Sequence, residues 1–169
     1  GELRVQLLGS GTILREVIAA AELLEKEFGV KSDIHSCTSF NELRRDGHAC
    51  ERFNRLNPES KTPQTPWFTS QLTGRAGPVI AATDYVRAYA DQVSAFIPAG
   101  MHYTVLGTDG FGRSDTRAQL RKFFEVDRNY IAHAAIEALF RTGQMNAADV
   151  AKAAKIFGID LAKSNPVGV

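Results

Sequence analysis

The order of strand-like and helix-like patterns at the start of the chain constrains the fold more than any other feature. Residues 3–8 (Leu-Arg-Val-Gln-Leu-Leu) alternate between apolar and polar side chains and end in two apolar ones, as in a largely buried strand. The glycine-rich residues 9–12 follow and end this pattern. Helical periodicity runs from Ile13 to Phe28, and residues 30–38 are typical of a second strand. Two strands joined by a helix in so short a stretch predict a right-handed parallel crossover.

The first helix is predicted to be amphipathic. Its apolar stripe consists of Leu14, Val17, Ile18, Ala21, Leu24 and Phe28. Its polar side consists of Arg15, Glu16, Glu22, Glu25, Lys26 and Glu27. Gly29 follows directly, at the position where a left-handed helix cap is expected.

Later patterns complete one domain that covers residues 1–169. They predict, in order, a helix over 40–53, an irregular proline-rich stretch over 56–67, a short helix over 68–74, a strand over 78–83, a helix over 86–97 and a strand over 103–107. Three helices follow, the first capped by Ser114 or Asp115, the second capped by Asp127 and closed by Gly143, and the third opened by Asn146 and stopped at Gly158. We therefore expect an α/β fold, with a small open sheet, helices on both faces and a helical carboxyl end.

Composition excludes several classes of partner. Twenty Lys and Arg residues against nineteen Asp and Glu residues leave a net charge of +1, which argues against a nucleic-acid-binding protein. Apolar runs are too short to span a bilayer, so no membrane association is expected. The two cysteines, Cys37 and Cys50, are too few for a disulfide scaffold and favour a reducing, cytoplasmic compartment.

The turn Gly9-Ser10-Gly11-Thr12 is a candidate anion site, because backbone N–H groups at a helix start can hold an anion. The dinucleotide-binding fingerprint fails here, since Leu14 occupies the position of its third glycine, and the lysine of a phosphate-binding P-loop is missing. A tight turn between strand and helix, capped by Ser or Thr, explains the same residues and is our preferred interpretation.

Two histidines and two cysteines form a second candidate group: His35, Cys37, His48 and Cys50. His35 and Cys37 would share one face of a strand, but two helical residues at the spacing of His48 and Cys50 point roughly 200° apart. These four residues therefore predict no zinc site. Both cysteines are expected to be buried and unreactive.

A glycine-rich loop over residues 107–114 follows the carboxyl end of the last predicted strand. It contains Asp109, Arg113 and Ser114 at the sheet edge where ligands bind in open α/β folds. A purely structural role explains it equally well, with Phe111 packed into the core and Ser114 capping the next helix. The combined candidate anion or loop site is Ser10, Gly11, Thr12, Asp109, Arg113 and Ser114.

The stretch from Leu106 to Leu120 resembles the carboxyl-terminal domain of the transketolase superfamily, whose pattern is Gly-x-Asp-x-Phe-Gly-x-Ser followed by a helix with Leu and Phe. The matching residues are Gly107, Asp109, Phe111, Gly112, Ser114, Leu120 and Phe124. The residues of this stretch are most similar to those of the homodimeric bacterial type of the decarboxylating pyruvate dehydrogenase component. Further stretches that support this resemblance are residues 39–47, 83–85, 90–93 and 124–127. The resemblance covers nearly the whole chain.

The resemblance implies that the chain is the last of three domains of a longer enzyme, as a start inside a strand also suggests. The enzyme would decarboxylate pyruvate and reductively acetylate the lipoyl groups of a dihydrolipoyl acyltransferase core. Thiamine diphosphate and Mg²⁺ would lie between the two other domains, across a homodimer interface. The third domain would have about five strands, mostly parallel with one antiparallel edge, and would help to form the dimer. No catalytic, cofactor-binding or metal-binding residue of the family maps onto this chain, so the chain alone is expected to be inactive.

A different class of function stays open at this point. The chain could be a stand-alone, flavodoxin-like module that binds a small molecule or anion. Its site would lie between the Gly9–Thr12 turn and the loop over 107–114, with Arg113 supplying positive charge. An exposed apolar face would favour the multidomain interpretation instead, since monomers rarely expose large apolar patches. The residues expected to form such a face lie in the helices predicted over 86–97 and 130–139.

Overall fold

A computed structural model describes residues 2–168, and it has four strands in one parallel sheet. The strands are β1 (Arg4–Gly9), β2 (Lys31–Ser36), β3 (Val79–Ala82) and β4 (Tyr103–Leu106). The helices are α1 (Leu14–Phe28), α2 (Phe40–Leu56), α3 (Trp67–Leu72), α4 (Ala88–Asp91), α5 (Arg117–Phe123), α6 (Arg128–Arg141) and α7 (Ala147–Ile156). Short 3₁₀ turns lie at Gly11–Ile13, Ser94–Phe96 and Pro166–Gly168.

The sheet order is β2-β1-β3-β4, and every neighbouring pair is parallel. The parallel pairing predicted for the first two strands is confirmed, because β1 and β2 pair in parallel with α1 between them in sequence. The expectation of about five strands with an antiparallel edge is corrected to four parallel strands within residues 2–168. β2 and β4 are the edges of this sheet.

Helices cover both faces of the sheet and enclose two cores. One core lies between the sheet and α1, α6 and α7, and it includes Val5, Leu7, Val17, Ile80, Ile136 and Leu139. The other lies under α2, α3 and the segment 90–96, and it includes Leu8, Phe40, Phe68, Leu72, Val105 and Phe96. Successive side chains of β1 point into opposite cores because the side chains of a strand alternate between the two faces of the sheet. No helix among residues 2–168 is both long enough and apolar enough to cross a membrane.

A buried glutamine interrupts the apolar central strand. The Gln6 side chain has no solvent exposure, and its Nε2 donates to Asp33 Oδ2 at 2.8 Å and to the Ala76 carbonyl at 3.0 Å. Its Oε1 lies 2.9 Å from His35 Nε2, which must carry the proton of that hydrogen bond. The polar side chain is therefore fully hydrogen-bonded, which offsets its loss of hydration.

Several local predictions are confirmed at helix ends. Gly29 adopts a left-handed φ of 65° after α1, and the Asp127 side chain caps α6. Asn146 and Asp149 form a capping box at the start of α7. The cap predicted at Ser114 or Asp115 is wrong by one or two residues, because Thr116 accepts from the Gln119 N–H instead.

The helix predicted over 86–97 is also corrected, since α4 covers only Ala88–Asp91 and a 3₁₀ turn follows at Ser94–Phe96. The Ala90 carbonyl, which a continuing α-helix would pair with the N–H four residues later, accepts instead from the Val93 N–H at 3.4 Å, as in a 3₁₀ turn. The Tyr103 hydroxyl also donates to this carbonyl at 2.8 Å, so a tertiary contact lies at the point where the α-helix ends.

Glu16 was expected on the polar side of α1, but it is buried, with 5% of its surface exposed. Its carboxylate accepts from Arg121 Nη1 at 2.9 Å, from Arg128 Nε at 2.9 Å and from the Arg128 backbone N–H at 3.1 Å. Burial alone would raise the pKa of Glu16, but the hydrogen bonds from Arg128 and the two positive charges outweigh it and lower the pKa. This ion cluster fastens α5 and α6 to α1. Ile18, expected in the apolar stripe, is 44% exposed.

Glu16→Gln is expected to destabilise the chain by about 2 kcal/mol at neutral pH, because two guanidinium groups lose their shared counter-charge. The cost is below that of a fully buried pair, since the Arg128 side chain is 50% exposed. Urea unfolding followed by circular dichroism measures it. Glu42→Gln, which removes an exposed pair with Arg45, is the control and should cost about 0.5 kcal/mol or less.

The same variants give a pH test. The Glu16 pKa is lower in the folded state than its ordinary value of 4.5, so the stabilisation is present above that value. It is lost as the pH falls from about 4.5 through the folded pKa, and the gap between the wild type and Glu16→Gln should close there. If the difference in unfolding free energy between the wild type and Glu16→Gln stayed constant at low pH, the shape of the side chain, and not its charge, would be the cause of the destabilisation.

A close contact between α2 and Phe96 generates a second prediction. A Cβ atom on Gly47 would lie 2.4 Å from the ring of Phe96, which is buried. Gly47→Ala should therefore destabilise the chain by about 1–3 kcal/mol, although alanine is the better helix former. Gly112→Ala is the control, because a Cβ there meets no atom within 4 Å. Equal unfolding midpoints for the two variants would contradict this packing.

Candidate functional site

The candidate site begins in the crevice between the two chain segments that follow β1 and β3. The chain after β1 enters α1 on one face of the sheet, and the chain after β3 enters α4 on the other face. Such a topological switch point is where open α/β sheets bind ligands. A buried hydrogen bond from Ser10 Oγ to Thr83 Oγ1, 2.8 Å long, joins the two strand ends.

A cleft of about 540 Å³ opens at this edge, between the Gly9–Thr12 turn and the loop over 107–116. Its apolar wall consists of Ile13, Leu120, Phe124 and Val126. Its polar lining consists of Thr12, Asp84, Thr108, Arg113, Asp115, Arg117 and Arg121. The volume falls in the range that small-molecule sites occupy, roughly 300–1,000 Å³.

The glycine turn holds one of the protein's own carboxylates beside it. Thr12 Oγ1 donates to Asp84 Oδ2 at 3.1 Å, and a Cβ on Gly11, whose φ is 54°, would lie 3.3 Å from Asp84 Oδ1. Negative charge therefore already lies next to the start of α1. This placement favours a structural role for the turn itself.

The loop after β4 is held by tight backbone contacts. Gly110 has a φ of 110°, and a Cβ there would lie 2.5 Å from the Pro166 carbonyl oxygen, so the loop packs closely on the end of the chain. Asp109 Oδ2 accepts from the Arg87 backbone N–H at 3.2 Å. Phe111 is 79% exposed, so the prediction that it packs into the core is wrong. The close contact of Gly110 and the hydrogen bond of Asp109, and not the Phe111 side chain, therefore anchor the loop.

The structure does not bring the six predicted site residues together in one site. Thr12 and Arg113 line the cleft, while Ser10 is buried against Thr83. Asp109 borders a different, smaller cleft of about 310 Å³ together with Arg87. Gly11 and Ser114 are exposed but are not part of the cleft lining.

Three arginines at intervals of four residues provide the positive charge of the cleft. The Arg113 guanidinium lies 4.3 Å from the centre of the Phe123 ring, a cation–π contact. Arg121 is held by Glu16. Within residues 2–168, Arg113 and Arg117 have no carboxylate within ion-pair distance. Arg117, Arg121 and Asp84 are lining residues that no sequence motif indicated, although the regular spacing of the arginines is visible in the sequence.

The histidine and cysteine group does not form a site. Cys37 and Cys50 are both buried, as expected, and burial raises the pKa of the Cys37 thiol to about 12. His35 is hydrogen-bonded to Gln6. Its pKa is lowered, mainly by burial and also by the positive charge of Arg75. His48 packs edge-on against Phe96 and lies 3.0 Å from Glu51. All four side chains are therefore engaged in structural contacts or buried, and they do not converge on one site.

The carboxylates of the cleft are the remaining candidates for holding a metal ion or a metal-bound diphosphate. Among residues 2–168, no three His, Cys, Asp or Glu side chains converge as a metal-ligand group. Asp84 and Asp115 both line the cleft, but each already accepts a hydrogen bond from the chain itself, from Thr12 Oγ1 and from the Thr116 N–H. The described residues therefore offer no group of metal ligands that fits thiamine diphosphate with Mg²⁺.

Comparison with known proteins identifies the family. The family model described as the transketolase-like TK C-terminal domain matches residues 1–127. Proteins named pyruvate dehydrogenase E1 component are 55% identical in Cupriavidus necator (98% of this chain) and in Pseudomonas aeruginosa (96%), and 50% identical in Escherichia coli K12 (96%). The chain spans 18% of the length of each and corresponds to the carboxyl-terminal part.

Solved structures agree on the fold. A split-gene transketolase, described as an inactive beta4 tetramer, superposes with a TM-score of 0.53 at 16% identity, over 82% of this chain and 40% of that one. A transketolase from Leishmania mexicana gives a TM-score of 0.51 at 20% identity, over 83% of this chain and 17% of that one. The chain belongs to the transketolase-like C-terminal domain family and is similar to the carboxyl-terminal part of the pyruvate dehydrogenase E1 component.

Proposed function

We propose that this chain is a non-catalytic support and dimerisation domain at the carboxyl end of a larger pyruvate dehydrogenase decarboxylating component. One observation carries the proposal: 55% identity extends over 98% of this chain but over only 18% of the relative. The match thus extends from end to end of one folding unit. A domain of this size with both cores complete is suited to a supporting role within a multidomain enzyme.

In this proposal, catalysis takes place elsewhere in the longer protein. The other domains hold thiamine diphosphate and Mg²⁺, decarboxylate pyruvate and pass the acetyl group to the lipoyl groups of a dihydrolipoyl acyltransferase core. The partners of this domain are the other domains of its own subunit and a second subunit of a cytoplasmic homodimer. The structural contacts of His35 and His48 and the burial of both cysteines are consistent with a domain that has no catalytic duty.

An exposed aromatic patch supports a contact role. Tyr85, Val86 and Tyr89 are 60%, 43% and 41% exposed, and the two tyrosine rings lie 5.2 Å apart. These residues, the Tyr85 patch, follow β3 at the carboxyl edge. Two of the three lie in the segment 86–97, where sequence analysis placed a contact face. Aromatic residues are enriched at protein interfaces, and burial of such a patch stabilises association.

The first prediction from this proposal concerns cofactor binding. The purified chain should show neither pyruvate decarboxylation nor micromolar, Mg²⁺-dependent binding of thiamine diphosphate in titration calorimetry. The reason is that its described residues provide no ligand group for the metal. The positive control is a full-length enzyme measured in the same buffer. Saturable micromolar binding by the chain alone would overturn the proposal.

The second prediction concerns the Tyr85 patch in the full-length protein. Tyr85→Ser should weaken subunit association by about tenfold, or about 1.4 kcal/mol, in sedimentation equilibrium, because it removes an aromatic contact. In the isolated chain the same change should alter stability by only about 0.5 kcal/mol, since the side chain is exposed. Leu161→Ser, at a residue that is 82% exposed and outside the patch, is the control. Unchanged association in both variants would argue against this patch as the dimer contact.

A further inference from the structure

We infer that the cleft between the Gly9–Thr12 turn and the loop over 107–116 binds a small organic anion, with a phosphate or carboxylate head and a ring-sized apolar body. This inference rests on the geometry of the cleft and is independent of the support role. No catalytic step is involved. The cleft would act as a binding site at the switch point of the sheet.

Two arginines are available for the anionic head. Arg113 and Arg117 line the cleft and, within the part of the chain that the structure describes, neither is neutralised by a carboxylate. The Arg113 guanidinium is already positioned by its contact with the Phe123 ring. A planar guanidinium matches the oxygens of a carboxylate or phosphate, so two neighbouring arginines favour an anion over a neutral ligand.

The third arginine gives the cleft a rigid side. Arg121 is mostly buried, with 16% of its side chain exposed, and Glu16 holds its guanidinium at 2.9 Å. The ion pair compensates much of its charge, so Arg121 positions the wall and contributes less to anion binding than the other two. Contact of Gly110 with Pro166 fixes the opposite loop. Rigid walls reduce the ordering cost of binding.

The apolar wall accounts for the body of the ligand. Ile13 and Val126 are each about 1% exposed and close the base of the cleft, while Leu120 and Phe124 are half-buried beside them. A cleft with this wall and two arginines has the chemical pattern of small-molecule sites, in which an apolar surface supplies affinity and a few polar groups supply orientation.

Two carboxylates restrict the choice of ligand. Asp84 accepts from Thr12, and Asp115 Oδ1 accepts from the Thr116 backbone N–H at 2.6 Å, so two carboxylates are fixed at the rim. Their charges oppose a bare multivalent anion. Inorganic phosphate alone should therefore bind weakly, and the contact of an apolar body with the wall is needed for measurable affinity.

Titration followed by ¹H–¹⁵N NMR of the chain tests the inference at constant ionic strength. The probes are phenyl phosphate, 3-phenylpropionate, inorganic phosphate and benzyl alcohol. At least one of the two aromatic anions should bind with a Kd of about 1 mM or tighter. Inorganic phosphate and benzyl alcohol should each bind at least about tenfold more weakly. The order of the two aromatic anions distinguishes a phosphate head from a carboxylate head.

Matched arginine variants locate the site. Arg113→Gln and Arg117→Gln should each weaken binding of the preferred anion by about fivefold or more, since each removes a charge-assisted contact. Arg55→Gln removes one charge from the exposed end of α2, on the opposite face of the sheet, and should change the Kd by less than about twofold. All three residues are exposed, and the NMR spectra report directly whether each variant stays folded.

Three results would overturn the inference. The first is the lack of saturable binding by both aromatic anions. The second is equal binding of inorganic phosphate and the aromatic anions, which would show a general charge effect. The third is an equal loss of affinity in Arg55→Gln and the two cleft variants. Failure of this test would leave the support role intact, because thiamine diphosphate binding and subunit association are measured separately.

Discussion

Burial of β1 on both faces is the constraint on which the rest of the structure depends. Its side chains alternate between the two cores, and its backbone pairs with β2 on one side and β3 on the other. An inner strand tolerates polar atoms only when they are hydrogen-bonded. Gln6 meets this condition through Asp33, Ala76 and His35, and this network also holds β2 in place.

The cleft is a consequence of the same strand. Because β1 has neighbours on both sides, the connections after β1 and β3 leave toward opposite faces and open a crevice. The Glu16 ion cluster fastens α5 and α6 against α1, and Leu120 and Arg121 of α5 line the cleft. One buried carboxylate on the first helix thereby links packing of the carboxyl-terminal helices to the position of Arg121 in the cleft.

Much of the fold was predictable because its determinants are local. The β1–α1–β2 unit, the Gly29 cap and the Asn146 capping box depend on residues close together in sequence. The errors arose where distant contacts compete with local preference. The Tyr103 hydroxyl binds the Ala90 carbonyl where the helix ends after residue 91. Two distant arginines draw Glu16 inward from a helix side that periodicity marked as polar. Of the predicted site residues, only Thr12 and Arg113 line the cleft, since side-chain direction depends on tertiary packing.

The sequence by itself determined the alternation of strands and helices, most of the caps and the family pattern at Gly107–Ser114, because each depends on spacing along the chain. Only the tertiary structure decided which charges are paired and which stay available. Arg117 and Arg121 are one helical turn apart on α5, yet of these two only Arg121 pairs with Glu16. The reason is that ion pairing depends on distances between elements more than a hundred residues apart, and these distances exist only after both cores have formed.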